Sequence, residues 1–474
     1  MKRLLVFVFL LPIICTSQYT AIPDQVFEQK LIDLGHDTIL DGQVLTANIV
    51  NLDSLDVNGF PMSPSINDLS GIEDFTNLTF LDCGWHYLVS LDVSQNTNLK
   101  TLKCQLTYLN SLDLSQNTAL TYLDCSRNSL TDTLNLSFNP LLDTLICGRN
   151  SLSQLNVSQN TALTYLDCSS LPVMSAQNNL INLDLSQNVL LEYLNCASSG
   201  LSSLDITQNN QLKFLNTSMN TFQTLDISQN QNLIELYCVY NGLSTLNLSQ
   251  NVFLETLNCS GNGLSSLDVS QNTNLVFLDC GPAIFLFNSI LDSNQITSLD
   301  VSQNTALTYL NCNINRLTSL DVSQNTALTY LKCNNNRLIS LDVRNGNNIN
   351  FTDFNATNND SLICISVDDS TWSATNWMDI DMIANFSNDC NPSTANINEI
   401  EKKLSIYPNP TSEEITILVE NFNGSFEAKL YSFTGKLLET TNKTAISLAD
   451  YPTGIYLLKV SYGDRIEEVK VVKE

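Results

Sequence analysis

Histidine is nearly absent from this chain of 474 residues, occurring only at His36 and His86. The residue most used to move protons near neutral pH is therefore scarce. No H-E-x-x-H pair, G-x-S-x-G elbow or phosphate-cradling glycine loop is present either. Acidic residues abound, but a glycosidase needs two carboxylates held at a fixed separation across a cleft, and no pair stands out. These absences predict a chain that is not an enzyme. Positive charge is also sparse: 21 Lys and Arg against 48 Asp and Glu leave a formal net charge of −27. Residues 402–474 hold 9 basic and 10 acidic groups, which leaves 12 basic and 38 acidic in the rest, so the acidity belongs to the body of the chain. Such a surface repels nucleic acid and anionic lipid. Long apolar runs are missing beyond Leu4 to Ile14, which follows Lys2 and Arg3. That run reads as a secretory signal peptide over residues 1–17, too short to span a bilayer, with cleavage expected after Ser17. A lipid anchor at Cys15 is the alternative, although Ile14 stands where a small residue belongs. No membrane span is expected in the mature chain.

What is present is periodic. Cysteine falls at Cys83, Cys104, Cys125, Cys147, Cys168, Cys196, Cys238, Cys259, Cys280, Cys312 and Cys333, mostly 21 or 22 residues apart, with Thr217 in the slot between Cys196 and Cys238. A fixed period in this range means stacked units rather than one globular core. The unit reads LTYLDCSRNSLTDTLNLSFN from Leu120 to Asn139 and LTYLNCNINRLTSLDVSQN from Leu307 to Asn325. Its second half, L-D-V-S-Q-N, occurs in twelve copies that begin at Leu91 and degenerate at Leu341. The first half, L-x-x-L-x-C-x-x-N-x-L, resembles the leucine-rich repeat, with cysteine in an apolar slot. The resemblance covers roughly residues 66 to 356 and implies a solenoid of parallel strands, about 12 repeats of 21 residues. The back half is short and rich in Ser, Asn and Thr, so turns are expected there rather than helix.

Alternation turns Leu and Cys of L-x-C into the coil. Parallel neighbours sit about 4.8 Å apart, whereas disulfide-bonded Cβ atoms sit near 3.8 Å, so the periodic thiols are expected to be free and buried. A metal stack would need paired C-x-x-C spacing, which is lacking. The x-x-N slot holds Asn128, Asn150, Asn220, Asn241, Asn262, Asn315 and Asn336, suited to satisfy backbone groups of successive turns. Cys364 and Cys390 lie off the period, beside Trp372 and Trp377, where the open end of a solenoid needs a cap. A disulfide between them would staple it, and the segment resembles the cysteine-flanked stretch that follows such repeats in bacterial surface proteins.

The same register defines an outward position three residues before each cysteine slot. Phe80, Tyr122, Tyr165, Tyr193, Phe214, Phe277, Tyr309 and Tyr330 occupy it, interrupted by Thr101, Thr144, Glu235 and Thr256. Outward aromatics suit contact with a protein or a polysaccharide, or they form a ladder that only supports the sheet. Aspartate recurs in the L-D-V slot at Asp92, Asp113, Asp184, Asp205, Asp226, Asp268, Asp300, Asp321 and Asp342. A Ca²⁺-binding edge is one reading of that column; carboxylates bonded to local turns are the other. No calcium loop motif is present, and Asn replaces Asp at 135, 156 and 247. Two insertions break the period: one around LPVMSAQ, and an apolar one from Gly281 to Asp292 that either folds back on the coil or presents a contact patch.

The ends differ from the array. Residues 22–35 (IPDQVFEQKLIDLG) predict a short amphipathic helix inside an N-terminal cap over 18–65. A C-terminal cap is expected over 357–390 and a polar linker over 391–403. Residues 404–474 alternate in the manner of a small antiparallel β-sandwich. Tyr407-Pro408-Asn409-Pro410 and the run ending Gly454-Ile455-Tyr456 are similar to the type A sorting domain of type IX secretion. That resemblance implies export through the periplasm of a Gram-negative bacterium, by the type IX machinery, to release or surface attachment. The expectation is a mainly β, exported, non-catalytic protein that binds a protein or polysaccharide, with a structural surface-layer or matrix role as the rival.

Overall fold

The computed structural model describes residues 18–60, 64–170, 178–282, 293–390, 404–419, 425–462 and 465–474. The signal peptide, the linker and most of both insertions, including Leu286 and Phe287, lie outside the described residues. The chain divides into two compact units, residues 1–390 and 391–474.

The first unit is a parallel solenoid. Its main sheet has fourteen strands, running in register from Ser54–Asp56 through Phe80–Asp82 to Tyr330–Lys332 and Asp353–Asn355. Twelve of these strands carry the cysteine or Thr217 slot. The outer two do not: Val57 and Ala356 stand there, and both are buried. Each turn contributes the same inward set. In one turn Leu120, Leu123, Cys125, Leu130 and Leu136 are all at most 3% exposed. Burial of each leucine side chain is worth about 1.5–3 kcal/mol relative to exposure, so repetition alone builds a continuous core.

Backbone bonds between turns continue past the strands. The Cys125 N–H donates to Ile146 O at 2.9 Å and Arg127 N–H to Gly148 O at 2.9 Å. The S-Q-N segment makes the next corner: Asn117 N–H donates to Leu114 O and Leu120 N–H to Asn117 O, both at 3.1 Å. No α-helix among the described residues lies within a complete repeat; the α-helices are Gln25–Asp33, Thr46–Ile49 and Ser370–Asn376, and the short 3₁₀ helices Ile72–Asp74 and Asn348–Asn350 stand in the first and last turns of the sheet. On the second side of the coil, strands form only locally, as the pair Thr131–Leu134 and Ser151–Leu155 and the run Ser319–Asp321, Ser340–Asp342, Cys364–Ser366, Asn385–Ser387.

The first helix starts at Asp24, whose carboxylate accepts from Val26 and Phe27 N–H, and it buries Phe27 and Leu31 against the first turns. At the other end, Phe351, Phe354, Trp377 and Phe386 pack over the last turn, with Phe354 stacked on Trp377 at 4.1 Å. Cys364 and Cys390 are disulfide-bonded there, with Cα atoms 5.8 Å apart.

The second unit holds two antiparallel sheets around one core that includes Ile415, Ile417, Leu430, Leu458 and Val471. Asn409 ties the Tyr407–Pro410 stretch to the last strand: its Nδ2 donates to Lys470 O at 2.7 Å and its Oδ1 accepts from Val472 N–H at 2.9 Å. Lys473, on the same strand, donates to the carbonyls of Ala449 and Tyr451 at 3.0 and 2.6 Å. The buried Tyr456 donates its hydroxyl to Pro452 O. Tyr407 and Ile455 stay exposed, at 50% and 41%.

Candidate functional site

The sheet face is built from two outward columns on each three-residue strand. The first is the aromatic row. All eight aromatic residues are half-buried, and six of them stack on a neighbour in an adjoining turn. Tyr165 stacks on Tyr193 at 4.0 Å and 6°, and Tyr193 on Phe214 at 4.2 Å and 8°. Phe277, Tyr309 and Tyr330 repeat the arrangement at 4.3 and 4.1 Å. Glu235 and Thr256 separate these two stacks. Phe80 and Tyr122 are parted by Thr101, and the Lys103 ammonium fills the gap, 5.5 Å from one ring and 5.8 Å from the other. Stacking at the strand repeat consumes the ring faces and leaves edges and hydroxyls outward. Burial pushes the Tyr193 phenol well above its ordinary range, with the adjoining Tyr165 hydroxyl as the second cause.

The second column, two residues on, is polar except at Ile146 and was not singled out by the sequence reading. It includes Asp82, Lys103, Asp124, Asp167, Asn195, Asn216, Asp279 and Lys332. Burial raises the carboxyls of Asp82, Asp124 and Asp279. Asp167 is fully engaged: one oxygen accepts from Ser169 N–H and Oγ, the other from Asn195 Nδ2.

A third column follows, two residues after the cysteine slot, where the backbone is left-handed. It holds Trp85 (φ 62°), Leu106 (58°), Arg127 (56°), Arg149 (56°), Met219 (59°) and Tyr240 (50°), but also Gly261 (63°) and Asn335 (55°), the residues such a conformation favours. Arg127 and Arg149 line a cavity of about 500 Å³ on the sheet face, floored by Gly148, Ser169, Asn195 and Asn216. A Cβ at Gly148 would lie 2.4 Å from Ser169 O, so only glycine fits that floor.

Two asparagine ladders hold these columns in register. In the front ladder, Asn128 Nδ2 donates to Cys104 O and Cys125 O at 2.8 and 3.1 Å, while its Oδ1 accepts from Thr107 and Leu109 N–H. Asn178, Asn294 and Asn359 play this part where insertions or the cap shift the spacing. The back ladder was missed: the last Asn of L-D-V-S-Q-N donates to two carbonyls of the preceding turn, as Asn230 does to Ile206 O and Asn209 O at 3.0 and 2.9 Å. Its recurrence in every clean copy was the available signal.

The aspartates of the L-D-V slot cap local turns. Asp92, Asp113, Asp184, Asp226 and Asp268 each accept from the N–H two residues on at 2.9 to 3.0 Å, and those bonds hold their carboxyls below the ordinary range. The eleven periodic cysteines are free and buried, and burial pushes Cys168, Cys238 and Cys333 up to about 12. No group of three or more His, Cys, Asp or Glu side chains arranged for a metal ion occurs among the described residues.

Residues 405–474 match the model of the secretion system C-terminal sorting domain. No curated protein matches the chain. Among solved structures, the functional domain of InlJ from Listeria monocytogenes, described as including a cysteine ladder, is 28% identical over 97% of this chain and 99% of that one, with a TM-score of 0.60. The internalin InlF from Listeria monocytogenes is 20% identical over 71% and 96%, at a TM-score of 0.53. A leucine-rich-repeat protein of Leptospira interrogans is 21% identical over 72% and 91%, at 0.50. The chain is a leucine-rich-repeat solenoid whose C-terminal residues 405–474 form a secretion system sorting domain.

Proposed function

We propose that the chain acts outside the cell as a non-catalytic binding module, docking an extended protein or polysaccharide on the face of its fourteen-stranded sheet. The sorting domain supplies the route, through the periplasm and across the outer membrane to release or surface attachment. The observation that carries the binding reading is the run of outward aromatic residues in register on one face, bordered by polar side chains whose identities vary from turn to turn. The scaffold residues repeat while the face does not, which is how a common frame presents a particular surface. Face-to-face ring stacking favours a second reading, a matrix or surface-layer component in which the aromatic rows only stiffen the sheet.

Replacing Tyr122, Tyr165 and Tyr193 with Ala separates the two. The binding reading expects adhesion or glycan and protein retention to fall at least tenfold with the solenoid still folded by circular dichroism. Unchanged retention in a folded variant leaves the structural reading.

A further inference from the structure

Four cations of the array sit against carboxylates: Lys103 on Asp82, Lys213 on Glu192, Lys332 on Asp353 and Arg344 on Asp342. Arg127 and Arg149 do not, and neither do Lys100, Arg316 and Arg337; what sets the first two apart is that they line one cavity together. No hydrogen bond or ion pair to either guanidinium occurs among the described residues. The ladder places them on adjoining turns: Arg127 N–H bonds Gly148 O and Arg149 N–H bonds Ser169 O, both at 2.9 Å. Their backbones therefore stand about one strand spacing apart, roughly 4.8 Å, and both side chains line one cavity. Asp167 lines the same cavity, with its oxygens accepting from Ser169 and Asn195, so the two guanidinium charges there outnumber one carboxylate. Both arginines also hold left-handed backbone that Gly261 and Asn335 adopt readily at the same slot. Trp85, Leu106, Met219 and Tyr240 hold the same conformation, so the slot admits varied side chains and asparagine among them.

We propose that Arg127 and Arg149 form an anion subsite on the sheet face and that its ligand is an acidic polysaccharide, whose carboxylate or sulfate groups the two guanidinium forks clamp. This rests on the sheet-face binding reading. Ser126, Ser169, Ser218, Asn195 and Asn216 bring hydroxyls and amides to the cavity, and Ile146, Ala197, Met219 and Val239 bring apolar surface, a mixture that suits the polar edges and apolar faces of sugar rings. The strands beneath are paired on both sides within the sheet, so no free edge remains for a peptide to add as a strand.

The test uses the full mature chain and four immobilised probes: polygalacturonate, dextran sulfate, neutral dextran and poly-glutamate. Wild type is compared with Arg127→Asn/Arg149→Asn and with Tyr165→Ala/Tyr193→Ala. Asparagine suits the left-handed backbone, so the arginine variant should melt no lower than wild type. The expected result is salt-sensitive retention on polygalacturonate or dextran sulfate that weakens at least tenfold in the arginine variant. Preference between those two probes identifies the carboxylate or the sulfate. Retention of wild type on neither polyanion, equal retention on neutral dextran, or preference for poly-glutamate overturns the inference. An arginine variant that binds like wild type while the tyrosine variant fails overturns this subsite alone. If both variants bind like wild type, the sheet-face reading fails with it.

Discussion

At the first turns, His86 occupies the place that asparagine takes further along the front ladder. Its ring is 1% exposed, with Nε2 2.6 Å from Val57 O and Nδ1 accepting from Ile66 N–H at 3.1 Å. The Nδ1 bond needs the neutral imidazole, and burial, the leading cause, lowers its pKa, with Lys30 adding in the same direction and Asp24 and the Val57 bond opposing. An unfolded histidine titrates near about 6.5. Because the folded value is lower, the stabilisation is complete above that pH and is lost as pH falls toward the folded value. The buried Asp82 carboxyl is raised and acts with the opposite sign, so a difference measurement is needed. Wild type should lose melting temperature between pH 6.5 and 5 faster than His86→Asn; parallel curves would remove His86 as the cause. The cysteines make a second residue-scale prediction. Thr217 shows that the slot accepts a hydroxyl able to donate to the next carbonyl, Tyr237 O at 3.5 Å. Cys238→Thr should therefore cost little, whereas Cys238→Leu overfills a packed site at about 1–3 kcal/mol, read from urea midpoints. Alternation in L-x-C made the inward cysteines legible in the sequence. The left-handed column was not, because Trp85, Leu106 and Arg127 are side chains that do not announce positive φ.

Among the repeated elements, the two asparagine ladders differ in what they demand. The front ladder uses both ends of the amide, and the x-x-N slot made it readable. The back ladder uses only the donor end: Asn230 faces two carbonyls, and its Oδ1 has no protein partner. The distinction lies in how the corner turns, which spacing does not encode. Asn230→Asp would set a buried carboxylate against two carbonyl oxygens and should cost about 3–5 kcal/mol, more than Asn230→Ala. Equal losses in denaturant melts of the two variants would contradict a donor-only role. The aromatic row is likewise an element property. Tyr193→Ala removes both contacts of the three-ring stack, and each such pair is worth about 0.5–1.5 kcal/mol beyond area burial. The sequence located the row through the period, but stacking distances belong to the assembled strands.

For the whole molecule, the cysteine period gave twelve strands and the sheet has fourteen, because Val57 and Ala356 hide the first and last slots from a search for cysteine. The two ends were readable for different reasons: the sorting domain from short local motifs, and the C-terminal cap from Cys364, Cys390, Trp372 and Trp377 lying off the period, although the packing of Phe351 and Phe354 on Trp377 belongs to the folded chain. Deleting residues 404–474 should strand the solenoid in the periplasm, as checked by fractionation and surface labelling; continued surface display would contradict the proposed route. The central claim is that the sheet face is the working surface. Because the native thiols are buried with raised pKa values, a new cysteine can be labelled alone with a bulky maleimide. The most direct measurement compares the label at Thr144→Cys, on the sheet face beside Tyr165, with the label at Gln208→Cys, exposed on a back turn, by retention on probes that hold wild type. The account predicts that the first label abolishes retention and the second leaves it unchanged; full retention with Thr144 blocked would contradict it.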